Sequence, residues 1–259
     1  MQVVKNPFVF IGIIALSAAL LLSLFSEFTR DVVKNNKELD KKKNILLARY
    51  FAEAKNPDDP VIVKLSDPEE LQKIYDSEIE ELLFLEQDGS LVTDAGDFSK
   101  LVWKENKKDG SMFYFFKGSN SDKRYLPLFK VKSEQGGFVV PISGKGLWST
   151  IKGFIYIVPE EGSGKFSVNG ISFYEHGETP GLGGEIDVYD VKARYLNKKI
   201  DIDTNKIPRM LKAPSSAEEE KEYELDYISG ATITSDGLND FIESHILERY
   251  KTILLEGSK

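Results

Sequence analysis

The chain changes its patterning sharply near residue 26. From Asn6 to Ser26 there are 21 residues without a charge, bounded by Lys5 and Glu27. A helix of that length extends roughly 31 Å at about 1.5 Å per residue, which matches a bilayer core of about 30 Å. A cleaved signal peptide carries a shorter apolar stretch of about 7–15 residues and a small-residue cleavage site. Ser23-Leu24-Phe25-Ser26-Glu27 offers no such site, so the pattern predicts a retained membrane anchor over 6–26. Past Glu27 the spacing predicts a charged helix, whose late part, Ile45 to Phe51, is apolar enough to dock on a domain. Asn56-Pro57-Asp58-Asp59-Pro60 should break it. The predicted division is therefore a transmembrane helix over 6–26, a charged helical linker over 27–60 and a domain over 61–259.

Apolar residues at Leu71, Ile74, Tyr75, Ile79, Leu82 and Leu83 predict a helix over Pro68–Leu85, entered through Asp67 as cap with Pro68 in the first turn. Strand-like runs follow at Met112–Phe116, Tyr125–Val131, Phe138–Ile142, Leu147–Val158 and Phe166–Tyr174, the last with Asn169-Gly170 as a hairpin turn. Together they predict an antiparallel sheet. Ile186, Tyr189, Val191 and Tyr195 suit a helix, although Ile186-Asp187-Val188 also suits a short strand, and Ser215–Glu222 reads as a polar loop. From Thr234 to Leu255 a helix is predicted, with Leu238, Phe241, Ile242 and Ile246 on one face. The fold class is α+β, an antiparallel sheet flanked by helices, with one N-terminal transmembrane helix.

Composition narrows the chemistry. With no cysteine, the chain has no disulfides, thiolate metal sites or thiol nucleophiles, so redox work would need a bound cofactor. A formal net charge of -8 argues against nucleic acid, whose binding needs a basic surface. Two histidines, His176 and His245, leave little room for a histidine-rich metal site. The chain has no phosphate loop, dinucleotide fingerprint or nucleophile-elbow serine.

Three segments combine glycines, hydroxyls and isolated aromatics. Asp226-Tyr227-Ile228-Ser229-Gly230-Ala231-Thr232-Ile233-Thr234-Ser235-Asp236-Gly237 runs into the C-terminal helix, whose amide end suits a phosphate. The same residues are also ordinary helix caps. Glu175-His176-Gly177-Glu178-Thr179-Pro180-Gly181-Leu182-Gly183-Gly184 can lay amides and one leucine against a flat ring, or be a long turn. Pro141-Ile142-Ser143-Gly144-Lys145-Gly146-Leu147-Trp148-Ser149 sets a tryptophan after a flexible turn, where it can stack on an aromatic ligand or close the core.

These segments, with the anchor, resemble the family of C subunits of sodium-translocating NADH:quinone reductases and its cousin, the G subunit of Rnf-type complexes. The resemblance is densest over residues 124–245. Asp226 followed by Ser229-Gly230-Ala231-Thr232 is similar to the family's flavinylation motif, and Gly177–Gly183 and Ser143–Ser149 also look like family blocks. The resemblance implies an FMN joined by a phosphodiester bond to Thr232, with Thr234 as the rival threonine. On that reading Trp148 and Leu182 pack on the ring, Leu147 is a further cofactor-binding residue, and Glu178, Thr179 and backbone groups of Gly181 and Gly183 meet the ring's polar edge. Ser229, Gly230, Ala231, Ile233 and Thr234 would hold the phosphate, with Lys212 nearby. The partners implied are the other subunits of the membrane complex and a flavin transferase acting outside the cytoplasm. That places the FMN domain in the periplasm of a bacterial inner membrane. Counting basic residues gives the opposite orientation, because Arg30, Lys34, Lys37, Lys41, Lys42 and Lys43 follow the span. Those charges are interleaved with Glu27, Asp31, Glu38 and Asp40, so the family expectation is preferred. An Rnf-type subunit, an FMN-binding sensor and a cofactor-free interaction domain are the alternatives.

Overall fold

A computed structural model of the chain describes residues 6–54, 59–92, 101–116, 123–134, 136–213, 215 and 217–257. It divides into two compact units, one ending at Lys41 and one beginning at Lys42. Helix α1, Pro7–Tyr50, is long and apolar enough near its N-terminus to cross a membrane. Phe8, Leu16, Leu22, Phe25 and Phe28 on it are exposed, a surface that is stable in lipid rather than in water.

In the second unit the end of α1 is buried at Asn44, Ile45, Leu46 and Ala48. The expected break at Asn56, Pro57 and Asp58 lies outside the described residues. Two short helices follow, α2 (Pro60–Lys64) and α3 (Pro68–Glu78), each opened by an aspartate and a proline. Asp67 accepts from the amides of Glu69 and Glu70, both at 3.0 Å. The helix predicted to run to Leu85 stops at Glu78, and Ile79–Leu85 is strand β1. Leucines at 82, 83 and 85 fit either period. Pairing decides, because β1 lies antiparallel to β4, with Leu82 opposite Phe129 and Leu85 opposite Leu126.

The remaining strands are β2 (Leu101–Glu105), β3 (Met112–Phe116), β4 (Leu126–Val131), β5 (Phe138–Lys145), β6 (Thr150–Glu160), β7 (Lys165–Glu175) and β8 (Lys199–Asp201). Six form one sheet in the order β1-β4-β5-β6-β7-β8, all neighbours antiparallel, and β2 pairs with β3. Asn169-Gly170 is not the hairpin turn: the chain reverses at Glu161–Gly164, and both residues lie inside β7. Gly162 and Gly164 supply the left-handed backbone that the turn needs. Gly170 sits beside a register slip, and a Cβ there would strike the Ala48 carbonyl of α1. Its missing side chain therefore serves helix packing. The strand expected from Leu147 begins only at Thr150, which leaves Leu147–Ser149 in the turn between β5 and β6.

After β7 come a 3₁₀ turn (Gly183–Asp187), α4 (Tyr189–Ala193), β9 (Arg209–Leu211), α5 (Glu218–Lys221) and β10 (Glu224–Asp226). Ile186–Val188 is thus no strand, the expected polar loop at 215–222 contains a helical turn, and β9 and β10 pair in parallel. The C-terminal helix opens at Thr232, two residues before the expected start, as α6 (Thr232–Glu243). A π-helical turn at Ser244–Arg249 separates it from α7 (Lys251–Gly257).

Both faces of the sheet are covered, which is why β6 is apolar without a break from Phe154 to Val158. Phe154, Tyr156 and Val158 point to one core with Phe129, Val139, Ile45 and Ala48. Ile151, Ile155 and Ile157 point to the other, with Val140, Ile142, Leu238, Phe241, Ile242 and Ile246. Each fully buried aliphatic side chain contributes about 1.5–3 kcal/mol. The second core presses α6 against the end of β5.

Candidate functional site

Helix α6 approaches β5 closely because glycines stand where the two backbones meet. A Cβ on Gly237 would strike the Lys145 carbonyl, and one on Gly144 would strike Phe241. This brings the start of α6 beside the turn that carries Leu147 and Trp148.

Glu178 joins the two. Its Oε1 accepts from the amides of Trp148 (2.9 Å) and Ser149 (3.2 Å), and its Oε2 accepts from the Leu147 amide (3.2 Å) and the Thr234 hydroxyl (2.6 Å). Burial pushes the Glu178 carboxyl up, but hydrogen bonds from Thr234 and the amides of Trp148, Ser149 and Leu147 outweigh it and hold the group below the ordinary carboxylate range. Gly146 and Gly183 give this carboxylate its room: a Cβ on Gly146 would lie 2.6 Å from Oε1, and one on Gly183 2.6 Å from the Thr234 hydroxyl oxygen and 2.7 Å from Oε2. Beyond Glu178 the loop turns outward. The Thr179 carbonyl accepts from the amides of Leu182 and Gly184, and Leu182 reaches Gly230, where a Cβ would stand 2.9 Å from Cδ2. The three segments singled out in the sequence thus meet at the start of α6.

That start carries no side-chain cap. Ala231 occupies the capping position, and no side chain bonds to the first-turn amides from it. Thr234 is turned to Glu178, and Ser235 accepts from the Ile228 amide at 3.3 Å. Capping is therefore not what the hydroxyls of this segment do. The first-turn amides and the positive end of the helix remain to receive an anion. Thr232 is partly exposed beside them, whereas Thr234 is 1% exposed. Ser229 and Gly230 are exposed, and the turn through Gly230 uses a positive φ. Lys212 stands over the Tyr227 ring, 6.0 Å from its centroid.

Large apolar side chains are left in solvent on these loops and on the first turn of α6: Trp148 is 72% exposed, Ile233 58%, Leu182 46% and Leu147 43%. Trp148 is thus no core residue. Holding such side chains on clasped loops suits a flat apolar ligand. The Glu178 carboxylate points inward, and His176 Nε2 lies 3.9 Å from Asp187 instead. Among the described residues no cluster of three or more histidine or acidic side chains could hold a metal.

Several residues that brace the site carry no local sequence signal. Arg194 donates to the carbonyls of Asp226 (2.9 Å) and Tyr227 (3.1 Å), fixing the entry to the Ser229–Thr232 segment. Asn239 bonds both main-chain groups of Met210, tying α6 to β9. Ser149 accepts from the Gly177 amide through its hydroxyl at 2.6 Å. Only the preference of Asn and Arg for exposed positions, broken by a buried Asn239, hints at such roles.

A family profile described as an FMN-binding domain matches residues 146–246, the span that contains every bond to Glu178. The C subunit of the Na(+)-translocating NADH-quinone reductase of Haemophilus ducreyi is 31% identical over 238 residues, covering 88% of this chain and 81% of the relative. The chain belongs to that family of C subunits. The Pasteurella multocida member is 28% identical, over 88% of this chain and 84% of its own. Among solved structures, NqrC of Shewanella oneidensis matches with a TM-score of 0.55 at 25% identity, over 84% of this chain and 99% of its own. The C subunit from Parabacteroides distasonis matches with a TM-score of 0.60 at 22% identity, over 89% and 98%, a likeness of fold. The α+β fold with an antiparallel sheet, helices and a long apolar N-terminal helix is the family's.

The site fits the group that this profile names. FMN has an anionic phosphate and a flat, largely apolar ring system. The uncapped first turn of α6 suits the phosphate, and the exposed side chains of Trp148, Leu147, Leu182 and Ile233 suit the ring.

Proposed function

We propose that this chain is the membrane-anchored, FMN-carrying subunit of a Na(+)-translocating NADH-quinone reductase, in which Thr232 bears the FMN phosphate through a phosphodiester bond and electrons pass between neighbouring subunits by way of the flavin. The observation that carries this reading is the start of α6: an accessible threonine beside first-turn amides that no side chain caps. FMN, when bound, supplies the reversible electron chemistry that no side chain here provides.

The chain's own residues bind and orient. Thr232 fixes the phosphate end at the positive pole of α6, where Ser229, Gly230, Ala231 and Ile233 line the approach. Thr234 also bears a hydroxyl, but it is buried and already bonded to Glu178, so Thr232 is the attachment point. Trp148, Leu147 and Leu182 pack on the ring and exclude water from one side. The exposed backbone of Thr179 and Gly181, with Gly183 buried behind it, supplies polar contacts to its edge, and Lys212 adds positive charge near the phosphate. Maturation needs a flavin transferase, and the other subunits of the complex are the electron partners. Residues 6–26 lie in a bacterial inner membrane, and the domain over 61–259 faces the periplasm, where that transferase acts.

In-gel flavin fluorescence after denaturing electrophoresis tests the attachment, with the chain exported beside a flavin transferase. Fluorescence should vanish in Thr232→Ala and persist in Thr234→Ala. A dark wild type would sink the covalent reading.

A further inference from the structure

Glu178 belongs to the outward loop by sequence, yet it behaves unlike its neighbours. Thr179, Pro180, Gly181 and Leu182 are exposed, while Glu178 is buried, with both oxygens occupied by donors of the protein itself. A carboxylate saturated by three amides and a hydroxyl has no lone pair aimed at a ligand edge. Its donors come from separate elements, the β5–β6 turn and the first turn of α6. Such charge-assisted bonds are about twice as strong as neutral ones. Gly146 and Gly183 are shaped around the same atoms. The loops carrying Trp148 and Leu182 therefore stand on one anionic pin.

We propose that Glu178 is a positioning residue rather than a flavin contact: it clasps the Leu147–Ser149 turn to Thr234 of α6 and so sets the spacing between Trp148 and Thr232 that the ring and phosphate of FMN occupy. This rests on the flavin reading above. A carboxylate is required because all four donors point at it. In Glu178→Gln the amide nitrogen faces either main-chain N–H groups or the Thr234 hydroxyl. Facing the Thr234 side, it also opposes the Leu147 amide donor, and at least one bond is lost. In addition, the carboxylate sets a fixed negative charge beneath the loops, so its removal favours the more negatively charged, reduced flavin.

The test uses the full chain in detergent, prepared with and without a flavin transferase, as wild type, Glu178→Gln, Thr234→Val and Thr234→Ser. In flavin-free protein, Glu178→Gln should speed amide hydrogen exchange at Leu147–Ser149 about tenfold, the equivalent of one hydrogen bond, while exchange in β6 and β7 stays at the wild-type rate. Thr234→Val should show a smaller rise confined to the same amides, and Thr234→Ser should restore the wild-type rate. In flavin-loaded protein, Glu178→Gln should shift the flavin midpoint potential positive. Unchanged exchange at Leu147–Ser149 overturns the clasp, and so does a uniform rise across the sheet. Faster local exchange with an unmoved potential overturns the role toward the flavin. A wild type that takes up no flavin removes the FMN reading instead, and the exchange comparison still decides the clasp.

Discussion

Helices α3 and α6 both begin among residues of cap-forming type and end up in opposite states. Before α3, Asp67 turns back and satisfies the amides of Glu69 and Glu70. Around the start of α6 there are Ser229, Thr232, Thr234, Ser235 and Asp236, five residues able to cap, and none does so. Thr234 is drawn to Glu178, Ser235 to the Ile228 amide and Asp236 to the Tyr227 hydroxyl. A cap contributes roughly 1 kcal/mol, so leaving α6 open sacrifices stability that α3 keeps. Cap-forming residues thus mark a structural helix start only when their side chains are free to turn back. Where tertiary partners claim them, the amides are left for a ligand.

The comparison can be broken most severely at Thr232. Thr232→Ala should abolish covalently bound flavin completely while shifting thermal unfolding of the flavin-free domain by no more than about 0.5 kcal/mol. Flavin retention in that variant breaks the account of α6.

The π-helical turn after α6 offers the next effect. Burial, with the nearby Arg249 charge, lowers His245 from its ordinary value of 6.5 to about 4, and its ring lies 2.8 Å from the Phe241 carbonyl. The unfolded chain therefore takes up this proton near pH 6.5 and the folded chain only near pH 4. Stability from this group is fully present above pH 6.5 and falls as the pH drops through that window, by about 3 kcal/mol in all. Urea unfolding between pH 7 and pH 4 should show this loss, and His245→Leu should flatten it.

Crowding the clasp comes third. Gly183→Ala places a methyl against Thr234 and Glu178, costing about 1–3 kcal/mol in thermal unfolding and lowering flavin loading together. The smallest effect is at the control helix: Asp67→Ala should cost about 1 kcal/mol and leave flavin loading unchanged. Equal loss of flavin in Asp67→Ala would erase the distinction between the two helix starts.

Much of the fold is legible in the sequence where local chemistry decides the outcome. The long apolar N-terminal helix follows from an uncharged run, the start of α3 from Asp67-Pro68, and most strands from runs of β-branched and aromatic residues. The three glycine segments stand out by composition, and the structure brings them together at α6. What is not legible depends on partners distant in sequence. Ile79–Leu85 is a strand because β4 pairs with it, and Gly170 is a packing glycine because Ala48 lies on it. Glu178 reads as a residue facing the ligand, since nothing nearby in sequence shows that four donors from residues 147–149 and 234 converge on it. Arg194 and Asn239 are silent for the same reason.

The most direct test of the central claim is peptide mass spectrometry on the chain exported beside a flavin transferase. One FMN adduct is expected on the peptide spanning Ser229 to Asp236, with fragmentation placing it on Thr232. An adduct on Thr234, or none on a protein that is otherwise folded, would contradict it.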